Sequence, residues 1–251
     1  MAKVSAKNCV VLVGGYVFST YTTQFDASKS VDALDATGFA DGSKNFIPGI
    51  GISEMTLNML WDSTTSKTLE RMSLLTAGSN LTLIPEGYTA GAKTISMPYM
   101  QANFTPTGSP TSLVGIGSIK FANYGNTQGV EFGQALYHGT ITATSTGTAV
   151  QDTITPASDL TSCAAAATLH IWTACATDTY AIVVQHSSDG STSWSTIMTF
   201  AATGAAVTSE RQTFAAAALK RYRRYLATRT GAAGNTLGFT VHFWRDPTQS
   251  T

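Results

Sequence analysis

Apolar and polar residues alternate from Glu54 to Trp61, which puts Met55, Leu57, Met59 and Trp61 on one face at period two. That is the pattern of a half-buried strand, and it is expected to begin near Ile50. Nearer the start, Val10 to Val13, then Gly14-Gly15 and Tyr16 to Phe18, read as a strand, a turn or bulge, and a second short strand. Further strands are predicted over 82–84, 93–104, 113–123 and 130–143, separated by Gly, Pro, Asn and Ser. Pro98 makes the second of these an edge or bulged strand, because proline lacks the N–H a ladder needs. In the last, Val130, Phe132, Gln134, Leu136 and His138 alternate with Glu131, Gly133, Ala135, Tyr137 and Gly139. One helix is expected over 66–76, with Ser66 as N-cap, Gly78 beyond its end, and Leu69, Met72 and Leu75 or Thr76 as an apolar stripe.

Residues 144–153 lack large apolar side chains and read as a linker. The Ala-rich remainder predicts strands over 166–173, 180–186, 195–200, 207–214, 221–228 and 237–244. Ser188-Asp189-Gly190-Ser191 is a hairpin signal between the second and third of them. Short strands at this spacing indicate a β-sandwich. No Cys-Trp-Cys spacing is present, so it is immunoglobulin-like in architecture alone. The expected organisation is therefore mainly β: a sandwich with one flanking helix over 1–147, and a second sandwich over 148–251.

Between Ser19 and Asn45 the chain has little periodicity. It reads as a long polar loop with acidic Asp32, Asp35 and Asp41, punctuated by Phe25, Val31, Leu34 and Phe39. A loop of this length in a compact domain usually serves a purpose. It closes on Lys44, Asn45, Phe46, Ile47, Pro48 and Gly49, with Pro48-Gly49 as a turn signal. The strand that follows ends in Trp61-Asp62.

A polar loop closing on (Lys/Arg)-x-(Phe/Tyr)-Ile-Pro-Gly before a strand ending in Trp-Asp resembles the major tail tube proteins of long-tailed bacteriophages, of the siphophage type. Here Lys44, Phe46, Ile47, Pro48, Gly49, Trp61 and Asp62 fill those positions, and the likeness extends over roughly the first 145 residues. The second half resembles a domain appended to many tail tube proteins, through Val184 to Gly190 with Trp194, and Arg221 to Tyr225. The resemblance implies a structural virion protein whose first domain forms hexameric rings stacked into a tube, assembled in the host bacterial cytoplasm. The second domain would sit on the tube exterior. It implies as partners other copies of the chain, a tape measure protein in the lumen, terminator and distal tail proteins, and double-stranded DNA passing without specific binding. Phe25, Phe39, Asp41, Lys44, Phe46, Ile47, Pro48 and Gly49 are then the candidate contacts between subunits or rings.

Composition fits more than one arrangement. Only 12% of residues are charged, about half the usual share. This suits either a β-rich chain with a Ser/Thr surface or a subunit that buries its surface against copies of itself. Cations and anions balance at 15 each, with 8 Lys/Arg against 9 Asp/Glu over 1–147 and 7 against 6 over 148–251. A tight nucleic-acid binder draws affinity from a basic excess, which is missing here. No stretch reads as a secretion signal or a membrane span, so a soluble chain without membrane insertion is expected. Cys9, Cys163 and Cys175 are odd in number and widely spaced. That argues against a disulfide framework while leaving a Cys163–Cys175 bridge open.

Catalytic patterns are missing from the sequence. His138, His170, His186 and His242 stand singly, so neither a metal centre nor a cofactor is predicted. There is no nucleophile elbow or phosphate loop, and nothing brings carboxylates such as Asp26 and Glu54 together. A non-enzyme is expected. Lys220, Arg221, Arg223, Arg224 and Arg229 hold five of the seven cations of the second half. They form either a patch for an acidic partner, such as a neighbouring subunit or a cell-surface glycan, or a strand whose arginines pair with neighbours such as Glu210. The competing function is a β-sandwich adhesin or carbohydrate-binding module that stays small, with Trp172, Trp194, Tyr180 and Tyr222 as stacking platforms.

Overall fold

The computed structural model describes residues 6–37, 43–64, 67–74, 77–108, 114–125, 129–152, 159–175, 177–231 and 234–246. Short β1 (Val10–Val13) and β2 (Tyr16–Val17) are followed by the long strands β3 (Thr22–Asp35) and β4 (Phe46–Leu60). A five-residue helix, α1 (Thr68–Met72), precedes β5 (Ala77–Ile84), β6 (Lys93–Gln101), β7 (Pro106–Thr107), β8 (Gly115–Asn123) and β9 (Glu131–Ile141). Then come β10 (Ser145–Thr146), β11 (Val150–Gln151), β12 (Leu160–Thr173), β13 (Thr179–Ser187) and β14 (Ser195–Thr199). The last three are β15 (Thr208–Leu219), β16 (Tyr222–Thr230) and β17 (Leu237–Arg245). The fold is mainly β, as the alternation predicted.

Two compact units share the chain. Unit 1 takes Met1–Ser19, Ser79–Ser96 and Glu131–Thr251, and unit 2 takes Thr20–Gly78 and Met97–Val130. The division expected at 147/148 falls inside unit 1. There β9 pairs antiparallel with β17, from Leu237 opposite Ile141 to Phe243 opposite Gln134. Residues 144–152 of the expected linker are likewise stitched down: β10 and β11 both pair with β16, and Gly147 donates its N–H to the Tyr225 carbonyl. The sequence signal for a linker, few large apolar residues, is equally that of a short strand edging a sheet.

Unit 1 is a sandwich. Its larger sheet runs β15, β12, β17, β9, β6, β5, β1, β2, and its smaller one β10, β16, β13, β14 with β11 also on β16. The core between them takes Leu169, Ile171, Phe239 and Val241 from the first sheet and Tyr180, Ile182, Val184 and Tyr225 from the second. The Tyr225 and Phe239 rings meet edge to face at 5.4 Å.

On the opposite face of β12 the alternation delivers Thr168 and His170, both fully buried. Gly15 donates its N–H to Nδ1 of His170 (3.3 Å), which places the ring proton on Nε2, 2.9 Å from Oγ1 of Thr82. Thr82 in turn reaches Oγ of Ser96 (2.9 Å), and Ser96 donates to the Leu81 carbonyl (3.1 Å). The chain of donors is complete only with a neutral imidazole. Gly15 is required at its position: its φ is +91°, and a Cβ there would lie 2.5 Å from the Thr208 carbonyl oxygen.

β9 places a charged residue inside and an aromatic one outside. Glu131 is buried and bonded to Arg211, whereas Phe132 is 54% exposed. The three cysteines are free thiols, so the open question of a Cys163–Cys175 bridge closes against it.

Unit 2 is built on β3, β4 and β8, with β7 and the end of β6 also paired to β8. Met55, Leu57 and Met59 are buried as the alternation predicted, and Tyr99 meets Phe121 edge to face at 4.8 Å. Pro98 sits where β6 changes partner, after the β9 pairing at Lys93–Ser96 and before the β8 pairing at Tyr99–Gln101. This is where a missing donor costs least. The helix is shorter than expected and begins without a side-chain cap at Lys67; Ser66 lies outside the described residues. Thr68 fixes it instead, donating from Oγ1 to the Leu60 carbonyl and accepting from the Asp62 N–H, both at 2.9 Å.

Candidate functional site

The segment expected to be a loop is a strand. β3 pairs with β4 from Thr22 opposite Met59 to Asp35 opposite Phe46, forming a long antiparallel hairpin. Near its base one face is buried through Met55, Leu57 and Met59, and Ser53 is the last buried residue on that face. Beyond it both faces are open. Val31 and Phe46 lie on the continuation of the buried face, and Ile52 with the Leu34–Ile47 pair on the other. Ile50 is 79% exposed, and Val31, Leu34, Phe46 and Ile47 are each between 51 and 53%. The absence of periodicity in β3 has a simple cause. A strand with two open faces has no core side to select apolar residues.

Pro48-Gly49 makes a bulge here, not the expected turn. Val31 lies opposite Gly51 and Ala33 opposite Pro48, so two steps on β3 span three on β4. The extra residue exchanges the faces of the distal part and brings Ile47 beside Leu34. Past Asp35 the strands remain joined: Ala36 donates its N–H to the Asn45 carbonyl, and Asn45 donates to Oγ1 of Thr37, both at 2.9 Å. Hydrogen bonds from Thr37 hold the exposed Asp35 carboxyl below its ordinary pKa, so it stays charged.

Of the predicted contact residues, Lys44, Phe46 and Ile47 are exposed, Pro48 and Gly49 form the bulge, and Phe25 is half-buried opposite Leu57. Phe39 and Asp41 lie outside the described residues. Ile50 and Ile52 were missed. Their signal was an Ile-x-x-Ile-x-Ile run continuing past the last polar alternation.

The five cations clustered in sequence over 220–229 are dispersed in the structure. Arg223 is 1% exposed and donates from Nη2 to Oδ2 of Asp152 (3.0 Å), an oxygen that also accepts from Nε of Arg245 (2.5 Å). Arg229 pairs with Asp178 at 2.9 Å. Arg224 stacks on Trp194 at 4.1 Å and Arg221 on Tyr222 at 5.0 Å, while Lys220 is half-buried. Arg223 and Arg229 thus have acidic partners in Asp152 and Asp178. Glu210 instead accepts from the backbone N–H groups of Ala201 and Ala202.

Among the proposed stacking platforms Tyr180 is fully buried in the core, and Trp194 has one face taken by Arg224. Among the described residues no three His, Cys, Asp or Glu side chains converge on a metal position, and no helix is long and apolar enough to cross a membrane.

No protein-family model and no curated protein matches this chain. Solved structures do resemble it in fold. A chain of the virion of a native gene transfer agent particle is 11% identical with a TM-score of 0.42, covering 52% of this chain and 98% of its own. A chain from the tail of the empty particle, determined with sixfold symmetry, is 12% identical with a TM-score of 0.39 over 52% and 98%. The Dit protein of phage SPP1, described as a hub of the adsorption apparatus, is 11% identical with a TM-score of 0.38 over 95% and 99%. At this level the likeness carries no argument about role.

Proposed function

We propose that this chain is a structural subunit of a phage tail tube, and that copies associate into hexameric rings stacked around a channel for DNA. The observation that carries the reading is the β3–β4 hairpin, with apolar side chains open on both faces beyond Ser53. Contiguous exposed apolar surface of this kind marks an interaction site. In a chain with only 12% charged residues, the partner that fits is a surface of the same composition. The motif residues Lys44, Phe46, Ile47, Pro48 and Gly49, on which the resemblance to tail tube proteins rests, fall in this part of the chain.

A channel through which DNA slides must not hold its phosphates. The 8 Lys/Arg among residues 1–147 meet that condition. In this reading the five-stranded sheet, built from residues 145–230, carries the exterior surface that the sequence assigned to 148–251, and the chain is not an enzyme. Negative-stain microscopy of the concentrated purified protein tests the proposal: rings or tubes of uniform width are expected. A population of single copies under native conditions contradicts it.

A further inference from the structure

A cavity of about 390 Å³ opens in unit 1, within the size range of small-molecule sites. Its apolar walls are Pro85, Ile95, Phe132 and Phe243, and its polar floor is the Asp152–Arg223–Arg245 cluster. The two guanidinium groups share a single carboxylate oxygen, Oδ2 of Asp152. Exposed Lys93 also lines the cavity. Asp246, next in the chain, contributes its backbone carbonyl to Nη1 of Arg245 at 3.2 Å.

Arg223 gives the cavity its direction. The residue is 1% exposed, its guanidinium lies 4.9 Å from the Phe243 ring, and its Nε has no hydrogen-bond partner. A buried arginine donor left unmatched is costly, and the planar fork of arginine suits a carboxylate gripped through two parallel bonds. Phe132, 54% exposed on the cavity wall, offers an aromatic surface to whatever apolar group carries that anion. An inorganic anion would leave these walls uncovered.

We propose that this cavity is a binding site for a small organic carboxylate on a compact apolar body, its anion held by Arg223 and its apolar part against Phe132, Ile95 and Phe243. The site is independent of the assembly reading. Ligand-observed NMR titration of the full chain with phenylacetate, phenylacetamide and inorganic phosphate tests it. Phenylacetate is expected to bind at least tenfold more tightly than the isosteric amide, and more tightly than phosphate. Lys93→Ala, a change at an exposed position, is expected to weaken it about two- to threefold, and Ile95→Trp to remove binding by filling the cavity. Arg223→Gln is expected to abolish the preference for acid over amide; should that variant not fold, the acid-to-amide ratio on the unaltered chain still decides. Equal affinity for acid and amide, tighter binding of phosphate, or undiminished binding in Ile95→Trp overturns the proposal.

Discussion

The interior of unit 1 and the distal β3–β4 hairpin invert the usual distribution of polarity in opposite ways. Unit 1 buries Glu131, Asp152, Arg223, Arg245, His170 and His242. The hairpin exposes Val31, Leu34, Phe46, Ile47, Ile50 and Ile52. In unit 1 the buried Glu131 pairs with Arg211, and Asp152 is shared by Arg223 and Arg245. Such pairs specify one arrangement of strands more than they stabilise it. The exposed apolar side chains of the hairpin contribute little to a single folded copy, and their use lies in what covers them. The contrast separates polar groups folded into one copy from apolar groups left open on it.

Substitutions should keep the two classes apart. The largest effect is expected from Ile47→Asp with Ile50→Asp: association falls at least a hundredfold by sedimentation velocity, while the thermal midpoint of the isolated copy stays nearly unchanged, since exposed substitutions usually move stability by about 0.5 kcal/mol or less. A melted variant would mean that the hairpin supports the fold. Asp152→Ala reverses the pattern. It leaves two buried guanidinium groups without their shared carboxylate and should cost roughly 3–5 kcal/mol in denaturant unfolding. A loss below about 1 kcal/mol would show that the cluster does not hold unit 1 together.

Acid provides a smaller and graded test. Burial holds the pKa of His170 and His242 down at about 3, against about 6.5 in an unfolded chain. Between those values the unfolded chain binds protons that the folded chain refuses. Stability from this source is therefore complete above about pH 6.5 and declines as pH falls toward 3. Denaturant midpoints should drop between pH 7.5 and 5, before the carboxylates titrate, and a flat profile would refute the neutral histidine chain. Smallest of all, Arg224→Ala removes the stack on Trp194 and the 2.9 Å bond to Gln185. It should cost about 0.5–1 kcal/mol with no change in association.

Strands with one face on a core were legible, because burial imposes the alternation that reveals them. Met55, Leu57 and Met59 gave β4 its inner half, and β12 to β17 lie near the expected ranges. The Ser187–Ser191 turn follows its residues too: Asp189 accepts from the N–H groups of Ser191 and Thr192, both at 2.9 Å, and Gly190 takes a positive φ of 74°. β3 was hidden because past Ala27 neither face meets a core, and Pro48-Gly49 carries the same local signature for a turn as for a bulge. The partners of Arg223 were hidden for another reason. Asp152 is 71 residues away in sequence, and only the pairing of β11 with β16 brings it close. Composition changes near 147/148, whereas the β9–β17 ladder joins residues on either side of that point.

The central claim is that copies of this chain cover the distal hairpin, and concentration-dependent hydrogen exchange tests it most directly. With exchange followed on peptides spanning residues 28–35 and 46–52, the account predicts at least tenfold slower exchange at concentrations where particles form than in dilute single copies. Particles that form with exchange in both segments unchanged would place the contact elsewhere and contradict it.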